Sequence, residues 1–235
     1  DAYSTKIANK LCKNDINAPV IEMTMFGITA KFMGEHVFAI SGGIFDISLN
    51  NEPIRTNKAY IAKDGDILSI KSAKQGLRCY LAVAGGFDVP LFMGSAATNL
   101  KIKVGGFNGR KLKAGDILKI GKADKIKNIE KRELPENTYN NPVRVRVVLG
   151  PQDDMFSEND LLLFSKQQYT VTSDLDRMGI RLWGIALRGK EKLEIISDAI
   201  TFGSIQITNS GMPIILMADH QTTGGYAKIA TVISA

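Results

Sequence analysis

The sequence predicts a mostly β protein made of two β-rich domains. Gly-Asp and Gly-Asn turn signals recur along the chain, and the segments between them are short and rich in strand-forming residues. No strand alternates with a long helical pattern, which argues against a parallel α/β sheet. A polar, aperiodic segment with two prolines, residues 132–142, predicts a linker between the two regions.

The chain begins with a predicted helix over residues 1–14. Tyr3, Ile7 and Leu11 recur at every fourth position, so they share one face of a helix. After this segment the helical period disappears and short strands are expected instead.

Two similar stretches and one turn signal define the rest of the N-terminal domain, which we place at residues 1–133. "DGDILSI" at residues 64–70 and "AGDILKI" at residues 114–120 each place a Gly-Asp turn before an alternating strand, as in small β-barrels. Asn108-Gly109 predicts a hairpin, since both turn positions need a positive φ.

The C-terminal domain is predicted over residues 142–235. "VRVRVVL", from Val143, alternates like a strand with one solvated face. Ser157 and Asp160 resemble a capping box before the short helix "NDLLLF". Further strand-like segments lie around Tyr169, Ile180, residues 193–196, Ile205 and Ile214.

The positive charge of the chain is local. Between Lys101 and Glu133 there are eleven Lys or Arg residues against four Asp or Glu residues, whereas the whole chain has a net charge of +6. A nucleic-acid platform normally interleaves aromatic side chains, and this window contains only Phe107. Nucleic acid is therefore not an expected partner. Solvated strands and a charged connector are favoured, and a docking face for an acidic partner protein stays open.

Other classes of function lack support in the sequence. No apolar run approaches the ~18 residues of a membrane span, and no signal peptide is visible. Cys12 and Cys79 form no disulfide framework, and His36 and His220 have no companion ligands at a metal-binding spacing. We therefore expect a cytoplasmic protein with idle thiols, no metal and no membrane partner.

Two motifs each have two interpretations. Gly85-Gly86 follow an apolar strand, and they form either a tight turn or backbone amides open to a ligand. Arg177 in "DLDRMGIRLWG" is either a carboxylate or phosphate clamp, or a structural ion-pair partner of Asp176 or Asp219.

"MADHQTTGGYAKIA", residues 217–230, concentrates hydrogen-bonding groups between two apolar segments. We interpret it as a ligand-binding loop between two strands, since its donors can converge on an oxyanion or carboxylate. A Thr-rich turn bonded to its own backbone is the alternative, and Lys228 has a second interpretation as a solvated strand residue. The catalytic candidates are Asp219, Thr223 and Lys228. The substrate-binding candidates are Arg177, Gln206, Gln221, Thr222, Gly224, Gly225, Tyr226, Gly85 and Gly86.

Five motifs of the chain resemble those of a known family, the allophanate hydrolase subunit 2 family, also described as biotin-dependent carboxyltransferase-like or as the 5-oxoprolinase C-subunit family. They are "YLAVAGGFDVP", "LFMGSAATN", "GGFNGRKLKAGDIL", "DRMGIRLWG" and "GSIQITNSGMPIILMADHQTTGGYAKIATVISA". The resemblance implies two cyclophilin-like β-barrel domains with a few short helices. Leu175, His220 and Ala227 replace the family's usual Ser, Arg and Pro. We also expect the family's N-terminal and C-terminal segments to be absent from this sequence.

The resemblance also implies a function. It points to one subunit of an ATP-dependent 5-oxoprolinase, which opens 5-oxoproline to glutamate together with a smaller subunit 1 homologue and a lactam-hydrolase subunit. ATP would be used by the complex. One alternative is a carboxyltransferase subunit for urea- or allophanate-type substrates, which would use biotin carried by another protein. Another is a non-catalytic regulatory binder that acts as an antagonist of the subunit 1 homologue.

Overall fold

The structure, a computed structural model, describes residues 1–233. The chain divides into two compact units, Asp1–Asn141 and Pro142–Ala235. Within the described residues there are fourteen β-strands and two α-helices. The prediction of a mostly β fold is therefore confirmed.

The first unit is built on two long antiparallel strands. Its elements are α1 (Ala2–Leu11), β1 (Ile21–Thr24), β2 (Thr29–Lys31), β3 (His36–Leu49), β4 (Glu52–Pro53), β5 (Lys58–Ala62), β6 (Ile67–Val83) and a 3-10 turn at Ile129–Lys131. The six-stranded sheet has the order β1-β6-β3-β4, with β2 paired to β6 and β5 paired to β3. β3 and β6 pair with each other along most of their length. Each of the four remaining strands pairs with one of these two.

The second unit contains two sheets. Its elements are β7 (Val147–Leu149), a 3-10 turn at Asp153–Met155, α2 (Glu158–Lys166), β8 (Thr170–Leu175), β9 (Gly179–Trp183), β10 (Glu194–Ala199), β11 (Ser204–Ile207), β12 (Pro213–Leu216), β13 (Thr223–Tyr226) and β14 (Lys228–Val232). A six-stranded sheet has the order β7-β14-β11-β12-β9-β8, and β10 pairs with β13 in a separate two-stranded sheet. Phe156, Phe164, Ile205, Ile207 and Ile229 belong to the core of this unit.

The sheets differ from the expected barrels in one respect. Among the strands of residues 1–233, no ladder joins β7 to β8 or β1 to β4, so each six-stranded sheet is open. A barrel needs its first and last strands to pair. The β class therefore holds, whereas the sheets are not closed by hydrogen bonds.

The predicted N-terminal helix is confirmed as α1. Asp1 caps it, because its carboxylate accepts hydrogen bonds from the main-chain N–H (3.1 Å) and the hydroxyl (2.6 Å) of Ser4. Ile7 and Leu11 are buried as expected, but Tyr3 is 69% exposed. The buried face thus passes through Ser4 and not through Tyr3.

The predicted capping box at α2 is also confirmed. The Ser157 hydroxyl accepts from the Asp160 main-chain N–H at 3.1 Å, and the Asp160 carboxylate accepts from the Ser157 hydroxyl at 2.5 Å. The hydrogen bond from Ser157 lowers the pKa of Asp160 below its ordinary value. No helix within residues 1–233 is long and apolar enough to cross a membrane.

Of three strand predictions in the first unit, one is confirmed and two are only partly right. Residues 64–70 lead into β6 as predicted, but residues 114–120 form a single isolated bridge, between Ile120 and Phe87. Asn108-Gly109 have the predicted positive φ values, 56° and 62°, yet no strands flank them. The latter strands are predicted only from the alternation of apolar and polar residues. A strand also needs a second strand to pair with, and within residues 1–233 these two segments have none.

The strand predicted from Val143 is shorter than expected. It covers only Val147–Leu149, which form an edge strand beside β14. Val143 is 69% exposed and lies outside any strand, so the alternating valines before Val147 are not part of the ladder.

The predicted linker is in part an integral piece of the first unit. The Glu133 carboxylate lies 2.7 Å from the Arg55 guanidinium and 3.1 Å from the Lys58 ammonium. Asn137 donates a side-chain hydrogen bond to the carbonyl of Gly42 at 2.8 Å. The linker interpretation is therefore wrong for residues 132–137, while the predicted domain bounds, 1–133 and 142–235, stay predictions.

Both cysteines are buried. Burial raises the pKa of the Cys12 thiol and that of the Cys79 thiol to about 12. Since the thiolate is the reactive form, neither side chain is suited to nucleophilic or metal chemistry at neutral pH.

A buried asparagine ties residues 132–137 to the rest of the first unit, and its replacement is our first prediction. Asn57 has a φ of 58° and is 1% exposed; it accepts from the Ser41 hydroxyl at 2.7 Å and donates to the Pro135 carbonyl at 2.8 Å. We expect Asn57→Ala to lower the free energy of unfolding by about 2–3 kcal/mol, because the buried Ser41 hydroxyl loses its acceptor, the hydrogen bond to Pro135 is lost, and alanine disfavours this φ.

Urea unfolding measures the effect. Asn108→Ala is the control, since Asn108 has a similar φ of 56° but is exposed. Equal losses in the two variants would mean that the backbone conformation alone, and not the Asn57 hydrogen bonds, accounts for the cost.

Candidate functional site

The polar segment at residues 217–230 is not one continuous loop. Only its first part is a turn, because Thr223–Tyr226 form β13 and Lys228 begins β14. β13 pairs with β10, where Gly224 lies opposite Asp198 and Thr223 lies opposite Ala199. The candidate residues are thus held by a two-stranded sheet, which is a more rigid support than the expected loop.

Gly224 is closely packed, and a side chain there would displace the ends of two neighbouring side chains. A Cβ atom there would lie 2.6 Å from Cδ1 of Ile200 and 2.7 Å from Nε2 of Gln206, which is closer than such atoms can approach. The neighbouring Gly225 is different, since a Cβ atom would lie 3.4 Å from the nearest atom, the carbonyl oxygen of Ile195. Gly224 therefore serves packing, whereas Gly225 tolerates a methyl group and can be used to probe the site.

Lys228 is buried, so its interpretation as a solvated strand residue is wrong. Its side chain is 4% exposed, and its Nζ donates a hydrogen bond of 2.6 Å to Oδ2 of Asp198. A buried ammonium group is stable only with an anion or strong acceptor beside it. The pair therefore links β14 of the large sheet to β10 of the small one.

Asp198 is the anion of this pair, and sequence reasoning missed it. Its Oδ1 accepts from the Ala199 main-chain N–H at 2.7 Å, and its Oδ2 also accepts from Nε2 of Gln152 at 3.4 Å. The pKa of Asp198 is lowered below its ordinary value, mainly by the hydrogen bond from Lys228. The carboxylate is therefore held as the anionic partner of Lys228.

No motif or spacing in the sequence indicates that Gln152 and Asp198 belong to this site. Gln152 accepts from the main-chain N–H of Lys228 at 3.1 Å, although the two residues are 76 positions apart. Asp198 lies 30 positions from Lys228. Only the pairing of strands brings them together.

Gln206, another candidate, is buried on β11 in the middle of the same sheet. It pairs with Lys228 on one side and with Ile214 on the other, and Ile214 in turn pairs with Arg181 on β9. Directly paired residues point to the same face of an antiparallel sheet. We call this face, defined by Lys228, Gln206, Ile214 and Arg181, the polar row.

Arg181 and Trp183 form the open end of the polar row. Arg181 is exposed, and within residues 1–233 its guanidinium has no hydrogen bond or ion pair. Trp183 lies two residues along β9, hence on the same face, and is 66% exposed. Sequence reasoning missed both, because only the sheet order shows that β9 lies two strands from β11.

The threonines of the candidate segment are exposed. Within the described residues the hydroxyls of Thr222 and Thr223 donate no hydrogen bond, so the alternative of a turn bonded to its own backbone is not observed. Gln206 donates from Nε2 to the carbonyl of Tyr226 at 3.3 Å. The hydroxyls thus remain available for a ligand beside an ordered backbone.

Arg177 forms the structural ion pair that was one of its two interpretations. Its Nε lies 2.8 Å from Oδ2 of Asp219, and the Asp219 main-chain N–H donates to the Arg177 carbonyl at 2.7 Å. Both side chains are about half exposed. The pair joins the turn after β8 to the turn after β12, and a role of Arg177 as a ligand clamp stays a proposal.

Gly85 and Gly86 form a tight turn in the first unit. The Gly85 N–H donates to Oδ1 of Asn14 at 2.9 Å, and the Gly86 N–H donates to the carbonyl of Val83 at 2.9 Å. Their φ values are 92° and 70°. Because both amides already have protein acceptors, the interpretation of these amides as ligand donors is wrong.

The arrangement in the second unit can bind anions and carbonyl groups. It offers a buried ammonium, an exposed guanidinium, amide side chains and two exposed hydroxyls on neighbouring elements of this unit. Among residues 1–233, no three His, Cys, Asp or Glu side chains lie close enough to hold a metal ion.

Comparison with known proteins identifies the family. A family model described as "Carboxyltransferase domain, subdomain A and B" matches residues 1–235. The chain belongs to this family. The C-subunit of 5-oxoprolinase from Escherichia coli is 38% identical over 235 residues, which cover 100% of this chain and 75% of that protein. The protein of the same name from Haemophilus influenzae is also 38% identical, with the same shares.

A solved structure supports the same conclusion. The crystal structure of the Kluyveromyces lactis urea carboxylase matches with a TM-score of 0.90 and 29% sequence identity. The match covers 100% of this chain but only 23% of that chain. The resemblance read from the sequence is thus confirmed, and the chain corresponds to one part of a much longer protein there.

The Lys228–Asp198 pair gives a second prediction. We expect Asp198→Asn to destabilise the protein, because it leaves the buried ammonium without an anion. We expect the double variant Asp198→Asn/Lys228→Met to recover most of this loss, since methionine fills the space without a charge. Thermal unfolding of both variants and of Lys228→Met alone measures the coupling.

The pH dependence of stability is the control for the Asp198 substitution. Asp198 has a pKa below its ordinary 3.8, so its stabilising effect is present above that pH and is lost as the pH falls below it. The difference between the unaltered protein and Asp198→Asn should therefore shrink under acid conditions. Additive effects of the two substitutions at neutral pH would contradict the pairing.

Proposed function

We propose that this chain is one subunit of an ATP-dependent 5-oxoprolinase, which opens 5-oxoproline to glutamate together with a subunit 1 homologue and a lactam-hydrolase subunit. One observation carries the proposal. The chain is 38% identical over its whole length to two proteins named as the C-subunit of 5-oxoprolinase, and it spans three quarters of each.

The polar row fits the chemistry of this substrate. 5-Oxoproline has a carboxylate and a lactam carbonyl. Arg181 can bind the carboxylate through two parallel N–H donors, and the hydroxyls of Thr222 and Thr223 can donate to the carbonyl oxygen as negative charge develops there. One strand separates β9 from β11, so the backbones of Arg181 and Gln206 lie about 10 Å apart. The Gln206 side chain packs against Gly224 of β13, the residue that follows Thr223.

ATP is required by the thermodynamics of the reaction. Hydrolysis of an unstrained five-membered lactam is unfavourable, so net ring opening needs coupling to a favourable reaction. We assign no ATP site to this chain and propose that ATP is a substrate of the assembled complex. Biotin has no role in this reaction, and a cytoplasmic location follows from the supply of ATP.

Reconstitution tests the proposal. The full-length protein is combined with the subunit 1 homologue and the lactam-hydrolase subunit, and glutamate is measured after addition of 5-oxoproline and ATP. We expect glutamate only when both compounds and all three proteins are present. Equal glutamate formation without this protein would refute its assignment as a required subunit.

Carboxyl transfer is the second candidate, because the family model describes a carboxyltransferase domain and the urea carboxylase structure is similar over the whole chain. It predicts transfer of a carboxyl group from a biotinylated carrier protein to urea, with no dependence on 5-oxoproline. A third result, tight binding of the subunit 1 homologue without turnover in either assay, would favour a regulatory binder.

Two substitutions on β13 test the site, as a third prediction. We expect Thr223→Val and Gly225→Ala each to reduce kcat/KM of the reconstituted complex by about 5- to 150-fold, the effect of one lost hydrogen bond or one intruding methyl group, about 1–3 kcal/mol. Both should keep the native melting temperature, because Thr223 is exposed and Gly225 has room for a Cβ atom.

Thr29→Val is the matched control, since Thr29 is an exposed strand threonine in the first unit. Full activity in both β13 variants would show that the segment has only a structural role. A loss of activity that parallels a loss of stability would lead to the same conclusion.

A further inference from the structure

A lobe without strands in the first unit, residues 91–116, exposes several large apolar side chains. The exposed fractions are 69% for Leu91, 47% for Phe92, 92% for Met93, 47% for Leu100 and 64% for Ile102. Single exposed apolar residues are common on soluble proteins, but a group of five within twelve positions is a sign of an interaction site.

Two tight turns hold these side chains in place. Phe92 and Ser95 exchange main-chain hydrogen bonds of 2.9 and 3.0 Å, and Asn99 and Val104 exchange bonds of 2.9 and 3.2 Å. The Asn99 side chain also accepts from the main-chain N–H of Lys101 at 3.0 Å. Met93 thus lies within the first hydrogen-bonded turn, and Leu100 and Ile102 lie within the second.

The two turns pack against each other. A Cβ atom on Gly105, which has a φ of 72°, would lie 2.4 Å from the carbonyl oxygen of Ala97 and 3.7 Å from Cβ of Phe92. Only glycine lets the second turn approach the first this closely. The two turns are therefore in direct contact.

The base of the lobe is closed by an ion pair. Arg110 donates two hydrogen bonds, of 2.7 and 2.8 Å, to the Asp116 carboxylate and lies over the ring of Phe107, 5.2 Å from its centre. These hydrogen bonds are the main cause that lowers the pKa of Asp116 to about 2. The acidic group of the lobe is thus already neutralised by its own arginine.

The rim of the lobe is positively charged. Lys103, Lys111 and Lys113 are exposed, and no ion pair of their ammonium groups is found in residues 1–233. Asp116, which is paired to Arg110 and also lies near the charge of Lys113, is the single carboxylate of residues 91–116, whereas this segment contains five Lys or Arg residues. An approaching surface would therefore meet an apolar centre with a basic rim.

We propose that the lobe is the docking surface for an acidic face of the subunit 1 homologue; this proposal rests on the function proposed above. Apolar residues such as Phe and Met supply the central contacts of protein interfaces, while charges at the rim guide association. An anionic membrane is a weaker match, because the tips carry no Trp or Tyr, the residues enriched at membrane interfaces.

The apolar centre is tested with the double variant Met93→Asp/Ile102→Asp of the full-length protein. We expect its Kd for the purified subunit 1 homologue to rise at least about tenfold, because two charges would replace buried contacts. Its melting temperature should not change, since both side chains are exposed. Ile196→Asp is the control, because Ile196 is 95% exposed and belongs to the second unit.

The basic rim is tested by Lys103→Glu/Lys111→Glu/Lys113→Glu. We expect slower association at low ionic strength and a weaker dependence of the association rate on salt. Lys122→Glu/Lys125→Glu/Lys127→Glu changes the net charge equally within the basic window but outside the lobe. An equal effect of both triple variants would overturn the role of the lobe.

The other outcomes are also decisive. If the unaltered proteins bind each other and the Met93→Asp/Ile102→Asp variant binds equally well, docking occurs elsewhere and the proposal fails, even if the complex forms glutamate. If the unaltered proteins do not bind, the proposal fails together with the partner assignment. If the variant loses binding only to vesicles that contain anionic lipid, the lobe is a membrane contact instead.

Discussion

The second unit depends on a single constraint, the burial of a lysine ammonium group on the face of a sheet. Lys228 lies on β14, where its side chain has almost no access to water. Such a group needs an anion, and Asp198 of β10 supplies it at 2.6 Å. The small β10–β13 sheet is thereby fixed against the large one, with Gly224 allowing its backbone to pack on Gln206. Thr223, the exposed first residue of β13, is placed by this packing.

Local signals in the sequence predicted local structure well. The first helix and the capping box of Ser157 and Asp160 depend on residues a few positions apart, and both occur as predicted. Strands are harder to predict from local signals. "AGDILKI" has the same pattern as "DGDILSI", but it lacks a partner strand in the described part of the chain and forms no strand itself. A strand forms only when a second strand hydrogen-bonds to it, and a single sequence does not show which segment that is. The linker prediction failed for a similar reason, because the polar residues of that segment bond to distant atoms.

In the candidate site, too, some residues could be identified from the sequence and others only from the strand pairing. The sequence indicated Lys228, Gln206 and the two threonines, which the structure places in the second unit around the polar row. It did not indicate Asp198 or Arg181, because their importance comes from sheet order and not from spacing. Gly85 and Gly86 illustrate the opposite error. A tight turn was one of their two interpretations, but the partners of their amides could not be known without the fold.

Trp183 gives the polar row an optical property of its own. It is the only tryptophan of the chain, and it lies two residues from Arg181 on the exposed side of β9. The intensity and wavelength of indole emission depend on contact with water and with nearby charges. The intrinsic fluorescence of this protein therefore comes largely from one face of one sheet. Events at the other surfaces of the chain leave that signal unchanged unless they alter this face.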